Sequence, residues 1–151
     1  MVWTPHVTVA AVVERDGRFL LVEEEDGARL VLNQPAGHWE EHESLIEAVK
    51  RETLEETGWH FAPAALLGIY RWRNARNGVT YLRFAFTGQL THHEPERPLD
   101  IGILGTCWLT AAEIEREVQR HRSPQVLRCT RDYLAGARLP LSCLHDTVGA
   151  T

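Results

Sequence analysis

The sequence predicts a single α/β domain. Strand-like apolar segments occur both before and after one central helix, and two further helices follow late in the chain. Elements mixed in this order are typical of an α/β fold. The 151 residues are enough for one domain with a real core and few for two. We place the domain at residues 1–141. Residues 142–151 carry no clear pattern and form a candidate mobile tail.

The first part of the chain predicts three strands. Residues 7–13 are β-branched and almost wholly apolar, which is typical of a strand buried on both faces. Asp16-Gly17 and Asp26-Gly27 mark turns, the first of them a hairpin. Pro35 then ends the pairing, because it has no backbone N–H to donate. The three predicted strands lie at residues 7–13, 19–24 and 29–34.

The second half of the chain predicts three strands and two helices. Pro63 interrupts the chain before the first of these strands, and Asn77-Gly78 is a strong hairpin signal. Thr110 is a candidate cap for the first helix, while Ser123-Pro124 opens the second, which Gly136 ends. The predicted strands lie at residues 66–73, 79–90 and 106–109, and the predicted helices at about 111–120 and 124–135.

The central helix is predicted at residues 44–57. Ser44 and Glu47 form a capping box, which starts a helix. Gly58 stands where a helix ends, because glycine adopts the left-handed cap conformation without strain. The apolar residues of the central helix fall on one stripe at helical spacing, and such a stripe faces a core. The stripe consists of Leu45, Ala48 and Val49.

Glu52, Glu55 and Glu56 continue this inward stripe toward the end of the helix. The three carboxylates repel one another, and the helix dipole adds partial negative charge at the same end. A bound divalent cation would offset both effects, because hard cations such as Mg²⁺ prefer carboxylate oxygens. The alternative is a solvated acidic helix end that pairs with Lys50 and Arg51. The helix pattern by itself leaves both readings open.

Glycine and charged residues recur around this helix at the spaced positions Gly37, Glu43, Arg51-Glu52, Glu55-Glu56 and Gly58. This string resembles the signature box of the Nudix hydrolase family. Thr53 departs from the box, which usually has an aliphatic residue there, and Trp59 is a bulky version of the usual hydrophobe. The resemblance implies a Nudix fold, in which a mixed β-sheet is sandwiched between α-helices as an α/β/α sandwich.

The resemblance also implies the chemistry. Nudix hydrolases cleave a pyrophosphate in small molecules, typically nucleoside diphosphates linked to another group, with Mg²⁺ or alternatively Mn²⁺ as cofactor. The implied role of Arg51 is to hold the box carboxylates in place, above all Glu43. The implied general base is Glu56, with Glu55 next and a later loop as the third choice. The implied metal ligands are Glu52, Glu55, Glu56 and the carbonyl of Gly37, and the loop candidates are His92, His93, Glu94, Glu96 and Asp100.

Substrate binding needs positive and polar groups beside the box. Arg83 lies in an otherwise apolar strand, with Tyr81 on the same face by the strand period of two. A basic residue among aromatic ones suits a ring that bears a phosphate. The alternative for each arginine is an ordinary surface charge. The candidate substrate-binding residues are Arg29, Asn33, Gln34, Arg71, Tyr81 and Arg83.

Segments outside the box resemble one bacterial phosphatase of the same family. They include PHVTVA at residues 5–10, NQPAGH at 33–38 and RSP at 122–124. That resemblance implies action on pyrophosphates of the thiamine pathway and on nucleoside di- and triphosphates. The alternatives are a hydrolase of oxidised nucleotides or of ADP-ribose, and a non-catalytic Nudix-fold metabolite sensor. A calcium-buffering protein is disfavoured, because the acids do not follow the order of an EF-hand.

Composition limits the partners and the compartment. The net charge of −5 and the pI near 5.9 argue against non-specific binding of nucleic acid. The apolar run at residues 7–13 is too short to span a membrane and has no basic region ahead of it. Three cysteines without a CxxC pair are typical of reduced thiols in the cytoplasm. We therefore expect a cytoplasmic monomer or homodimer with a small-molecule substrate.

Overall fold

The computed structural model describes residues 1–148, which form eight strands and three α-helices. Short 3₁₀ turns follow at Val118–Arg120 and Leu141–Cys143. The strands are β1 His6–Val12, β2 Glu14–Arg15, β3 Arg18–Asp26, β4 Arg29–Asn33, β5 Ala36–His38, β6 Trp59–Arg73, β7 Thr80–His93 and β8 Ile103–Thr110. The helices are α1 Leu45–Thr57, α2 Ala111–Arg116 and α3 Gln125–Leu134.

The strands form two four-stranded sheets. The first has the order β5-β1-β7-β6 and is mixed, because β1 runs parallel to β7 while its other pairs are antiparallel. In the second sheet β3 is the centre, with β8 along one edge and β2 and β4 along the other, all antiparallel. Strand β1, which corresponds to the predicted first strand, is one of the two inner strands of the mixed sheet.

Two apolar cores lie on opposite faces of β1, because successive side chains of a strand point to opposite sides. Ala10 and Val12 belong to the core that contains Val126 and Cys129 of α3. Val9, Ala11 and Val13 belong to the other core, together with residues of α1. Helices cover both faces of the strands, so the predicted α/β/α architecture is confirmed.

Helix α1 begins and ends where the sequence predicts. The Ser44 side chain accepts a hydrogen bond from the Glu47 amide, and the Glu47 side chain accepts one from the Ser44 amide. Gly58 ends the helix with a φ of 74°. Thr53, the departure from the Nudix box, is fully buried, and its hydroxyl donates to the Val49 carbonyl at 2.7 Å. The threonine is therefore tolerated inside the core without an unpaired hydroxyl.

Several predicted boundaries were wrong. Strand β6 starts at Trp59 and runs through Pro63, where the sequence predicted an interruption. The pairing of β6 with β7 shifts register around Pro63. Strand β6 also lies at the edge of its sheet, and proline is tolerated in edge strands. The predicted helix at 111–120 ends at Arg116 and continues as a 3₁₀ turn. The two short strands β2 and β5 were not predicted, because each depends on a partner strand rather than on local pattern.

The predicted tail packs in part against the domain. Leu144 lies against the core beside α1, and its amide donates to the Leu141 carbonyl at 3.0 Å. Residues 149–151 of the predicted tail lie outside the described residues. Along residues 1–148, none of the helices combines the length and the apolar character needed to cross a membrane.

Gly88 provides a test of the close approach of β6 and β7. A Cβ at this position would lie 2.0 Å from the Ala62 carbonyl oxygen, which is backbone and cannot rotate away. We expect Gly88→Ala to lower the free energy of unfolding by about 2 kcal/mol, measured by urea denaturation. Gly105→Ala in β8 is the matched control, because a Cβ there meets nothing within 4 Å. An equal loss of stability in both variants would contradict this explanation.

Candidate active site

The buried face of α1 ends in carboxylates, as the sequence predicts. Glu52 is 8% exposed and Glu56 is 4% exposed, while Glu55 is half-buried. Burial disfavours the charged form of a carboxylate. It raises the pKa of Glu56 to about 9 and also raises the pKa of Glu52. The acids of α1 therefore lie where an uncompensated negative charge is costly.

Arg51 holds several of these acids together. Its Nε and one terminal nitrogen donate to the two oxygens of Glu43, at 2.9 and 2.8 Å. Its other terminal nitrogen donates to Glu52 at 2.9 Å and to Glu55 at 3.1 Å. The terminal nitrogen that bonds Glu43 also donates to the His38 carbonyl at 2.9 Å. The predicted pairing of Arg51 with Glu43 is confirmed, and these bonds lower the pKa of Glu43.

Strand β5 brings the backbone of the box against the same acids. A Cβ on Gly37 would lie 2.1–2.3 Å from the carboxylate atoms of Glu52, so a larger residue would displace that carboxylate from its position. The Ala36 amide donates to Glu56 at 2.7 Å, which favours the ionised carboxylate. Pairing of β5 with β1 fixes both residues. The structure thus brings Gly37 together with Glu52, and Ala36 together with Glu56.

Asp100 joins the cluster from the loop between β7 and β8. One carboxylate oxygen each from Glu52, Glu55 and Asp100 lie within 4.8 Å of one another. The Asp100 amide also donates to the Glu55 carbonyl at 3.0 Å, which docks the loop on the end of α1. Sequence reasoning named Asp100 among five loop residues but had no signal to separate it from the others. Glu56 is not part of this set of oxygens.

The donor set fits a hard divalent cation. Two oxygens on opposite sides of one such ion lie at most about 5 Å apart, and the oxygens of this cluster meet that limit. Glu24, Glu52 and Asp100 add repulsion around Glu56 and raise its pKa further. A cation would relieve both this repulsion and the cost of burial. Gly37, Glu52, Glu55 and Asp100 surround that position.

A cavity of about 230 Å³ adjoins the acid cluster. Asn33, Tyr81 and Arg83 lie in its wall together with Ala36 and Gly37, so the structure brings half of the predicted substrate residues to one pocket. The two terminal nitrogens of Arg83 donate to Gln34 at 2.9 Å and to Asn33 at 3.0 Å.

Arg83 is a buried cation with neutral partners. It is 4% exposed, and its Nε has no hydrogen-bond partner. Within residues 1–148 it forms no ion pair with a carboxylate. A buried charge is costly unless it is paired. An anionic group in this pocket would supply the missing countercharge.

The other predicted substrate residues lie elsewhere. Gln34 is 1% exposed and donates to the Val126 carbonyl at 2.9 Å, so it positions Arg83 and does not line the pocket. Arg29 lines a neighbouring larger cavity and donates to the Gln119 carbonyl. Arg71 faces a third cavity between β6 and α3. Strand period alone could not tell which end of each strand reaches the pocket.

Sequence reasoning missed three charged residues of the pocket, Glu24, Asp26 and Arg122. Glu24 and Arg122 form an ion pair at 3.0 Å, and Glu24 also accepts a bond from Asn33. The signal available for Glu24 was a carboxylate at the end of an apolar strand. Arg122 follows a 3₁₀ turn, and its position depends on a backbone bond from its amide to the Leu32 carbonyl.

Comparison with known proteins agrees with this fold. A family model described as the NUDIX domain matches residues 4–128. Phosphatase NudJ of Escherichia coli K12 is 41% identical over 142 residues, which cover 94% of this chain and 92% of NudJ. A NUDIX hydrolase of Nitrosomonas europaea is 51% identical, with a TM-score of 0.95 over 97% of this chain and 100% of that chain. The NUDIX domain of Shewanella oneidensis NrtR, complexed with ADP ribose, shares the fold with a TM-score of 0.69 at 20% identity, over 88% of this chain and 90% of that chain.

The α/β/α fold and the acid cluster belong to a class of hydrolases that act on phosphoanhydride bonds. The chain belongs to the Nudix hydrolase family.

Arg51→Lys tests whether the guanidinium holds the acids in place. One ammonium group cannot reach the acceptors on Glu43, Glu52 and Glu55 in the same planar geometry. We expect the free energy of unfolding to fall by about 2 kcal/mol, measured by urea denaturation without divalent cations. Lys50→Arg on the exposed side of α1 is the control and should change stability by less than about 0.5 kcal/mol. Unchanged stability in Arg51→Lys would show that charge alone suffices.

Proposed function

We propose that this Nudix hydrolase cleaves small pyrophosphate-containing molecules with Mg²⁺, or alternatively Mn²⁺, as cofactor. The proposed substrates are hydroxymethylpyrimidine pyrophosphate, thiamine pyrophosphate and nucleoside di- and triphosphates. One observation carries the proposal: Ala36 and Gly37 line the pocket and also touch Glu56 and Glu52. The wall of the pocket is therefore in contact with the acid cluster through these two residues.

The proposed roles follow from position. Glu52, Glu55, Asp100 and the Gly37 carbonyl would hold the metal, while Glu56, which lies outside that set of oxygens, would serve as the base. When bound, Mg²⁺ supplies charge neutralisation at phosphate oxygens and a more acidic water. Arg51 keeps the carboxylates in position through its bonds to them.

Arg83 is the proposed phosphate contact, since it is a buried cation without a carboxylate partner within residues 1–148. Asn33 and Tyr81 lie beside it in the pocket wall and are the proposed contacts for the substrate ring. We keep Gln34 as the residue that positions Arg83, because it is buried behind the pocket.

Glu56 is the proposed general base. In the reaction the water oxygen bonds to phosphorus, the bridging P–O bond breaks, and the water proton passes to a carboxylate. Burial raises the pKa of Glu56 to about 9 in the absence of metal, and a bound divalent cation would favour the ionised carboxylate, which is the form that accepts a proton. Its bond from the Ala36 amide fixes the position of the carboxylate. Glu55 is the second choice, because it is more exposed.

Two properties support the substrate class and compartment. The pocket volume of about 230 Å³ is below the roughly 300–1,000 Å³ of sites that enclose drug-sized ligands. A single ring with a pyrophosphate fits it better than a whole nucleotide does. Cys107, Cys129 and Cys143 are free thiols, the state that a reducing cytoplasm maintains.

A substrate panel tests the proposed function. We expect Mg²⁺-dependent phosphate release from hydroxymethylpyrimidine pyrophosphate, thiamine pyrophosphate, ADP and ATP, and no release with excess chelator. The panel should also contain an oxidised nucleotide and ADP-ribose, and kcat/KM is compared across it. The highest kcat/KM on either of these two would replace the proposed substrate class. Binding of any panel member without metal-dependent turnover would favour a metabolite sensor over an enzyme.

Glu56→Gln tests the assignment of the base. The amide oxygen of glutamine can still accept the Ala36 bond, but the side chain cannot take a proton at neutral pH. We expect kcat to fall by at least roughly a hundredfold while the far-ultraviolet circular dichroism spectrum is unchanged. Glu41→Gln is the matched control at an exposed residue and should retain full activity. Full activity in Glu56→Gln would move the base to Glu55 or to a loop carboxylate.

A further inference from the structure

A second and larger cavity of about 760 Å³ lies next to the pocket. The two share the residues of their common boundary, among them Trp72, Arg122 and Ser123. They therefore form one continuous cleft, with the acid cluster at one end. A nucleotide is too large for the 230 Å³ pocket alone, so the part of it that lies beyond the pyrophosphate must extend into the larger cavity.

The larger cavity is basic, although the protein as a whole is acidic with a net charge of −5. Asp26 is the acidic residue of its wall within the described part of the chain. A concentration of one charge sign in a concave surface attracts ligands of the opposite sign. The arginines of the wall are Arg29, Arg76, Arg122, Arg128 and Arg131.

Two of these arginines have no carboxylate partner within residues 1–148. Arg122 pairs with Glu24, Arg128 with Asp132, and Arg131 with Glu115. Arg29 donates to the Gln119 carbonyl. Among residues 1–148, neither Arg29 nor Arg76 forms an ion pair with a carboxylate. These two cations are consequently available to a ligand.

Both available arginines have a defined place. Arg29 begins β4, and Arg76 lies in the turn between β6 and β7, where its backbone amide donates to the Asn74 side chain at 3.0 Å. His121 also lines the cavity, but burial lowers its pKa, so it is neutral at pH 7 and the arginines carry the positive charge. The charge of the cavity is thus constant across the neutral pH range.

We infer that this cavity is a binding site for a second phosphate group carried by the same substrate, beyond the pyrophosphate that is cleaved. The inference rests on the proposed function and names a substrate class within it: nucleoside diphosphates that bear a further phosphate on the sugar. Continuity of the two cavities supports one extended molecule over two separate ligands. The guanidinium groups of Arg29 and Arg76 would bind the distal phosphate.

A pair of substrates that differ in one phosphate tests the inference. We compare kcat/KM for ADP and for adenosine 3′-phosphate 5′-diphosphate, both with Mg²⁺. The expected ratio is about tenfold or more in favour of the 3′-phosphorylated compound, which corresponds to about 1.4 kcal/mol. The ratio should fall to near one in Arg76→Gln and in the double variant with Arg29→Gln. Arg116→Gln on the exposed side of α2 is the control for loss of one positive charge, and it should keep the wild-type ratio.

Each outcome has a defined meaning. Equal kcat/KM for both compounds in the wild type would overturn the inference while leaving the proposed function intact. A preference that survives in the double variant would also overturn it. Stimulation of ADP hydrolysis by added inorganic phosphate, to the level of the 3′-phosphorylated compound, would show a site for a separate anion and contradict a single extended substrate. If neither compound is hydrolysed, the proposed function fails with respect to nucleotides. In that case calorimetry measures the binding of adenosine 3′-phosphate 5′-diphosphate to the wild type and to Arg76→Gln. Equal affinity of the two proteins would reject the inference as well.

Discussion

Arg51 hydrogen-bonds Glu43, Glu52 and Glu55 at once, and the shape of the acid cluster depends on these bonds. Carboxylates on the buried face of one helix repel each other, and burial adds a cost for each charge. A planar guanidinium with several donors is suited to hold such groups apart in fixed positions. One positive charge does not balance the cluster, however. The remaining negative charge is what makes the site a good match for a divalent cation.

The fold serves this arrangement by fixing three separate segments around the end of α1. Pairing of β5 with β1 places Gly37 against Glu52, where a larger residue would displace the carboxylate. The loop before β8 docks on α1 through the backbone of Asp100. Both sides of β1 are packed into apolar cores, so these segments are held by a rigid centre. Apolar packing through the domain therefore offsets the free-energy cost of bringing the acids together.

Features with a local cause could be predicted from the sequence, and features with a tertiary cause could not. The capping box of Ser44 and the cap at Gly58 involve neighbours in the chain, so the bounds of α1 were predicted correctly. The inward position of the carboxylates follows from helical periodicity in the same way. The entry of Asp100 into the cluster depends on how a loop docks, which no local pattern encodes. For the same reason, Arg71 was predicted beside the substrate because its strand flanks the box, although it faces another cavity.

Charge changes sign along the cleft, and this gives it a direction. Acids that suit a metal lie at one end, and Arg83 lies in the pocket beside them. Arg29 and Arg76, which have no carboxylate partner among the described residues 1–148, lie in the cavity beyond. Without metal, the acidic end repels a phosphorylated molecule and the basic cavity attracts it. The arginines can therefore orient the substrate before the pyrophosphate reaches the acids. Binding energy from the distal part of the substrate would then position the scissile bond, which is how remote contacts contribute to turnover.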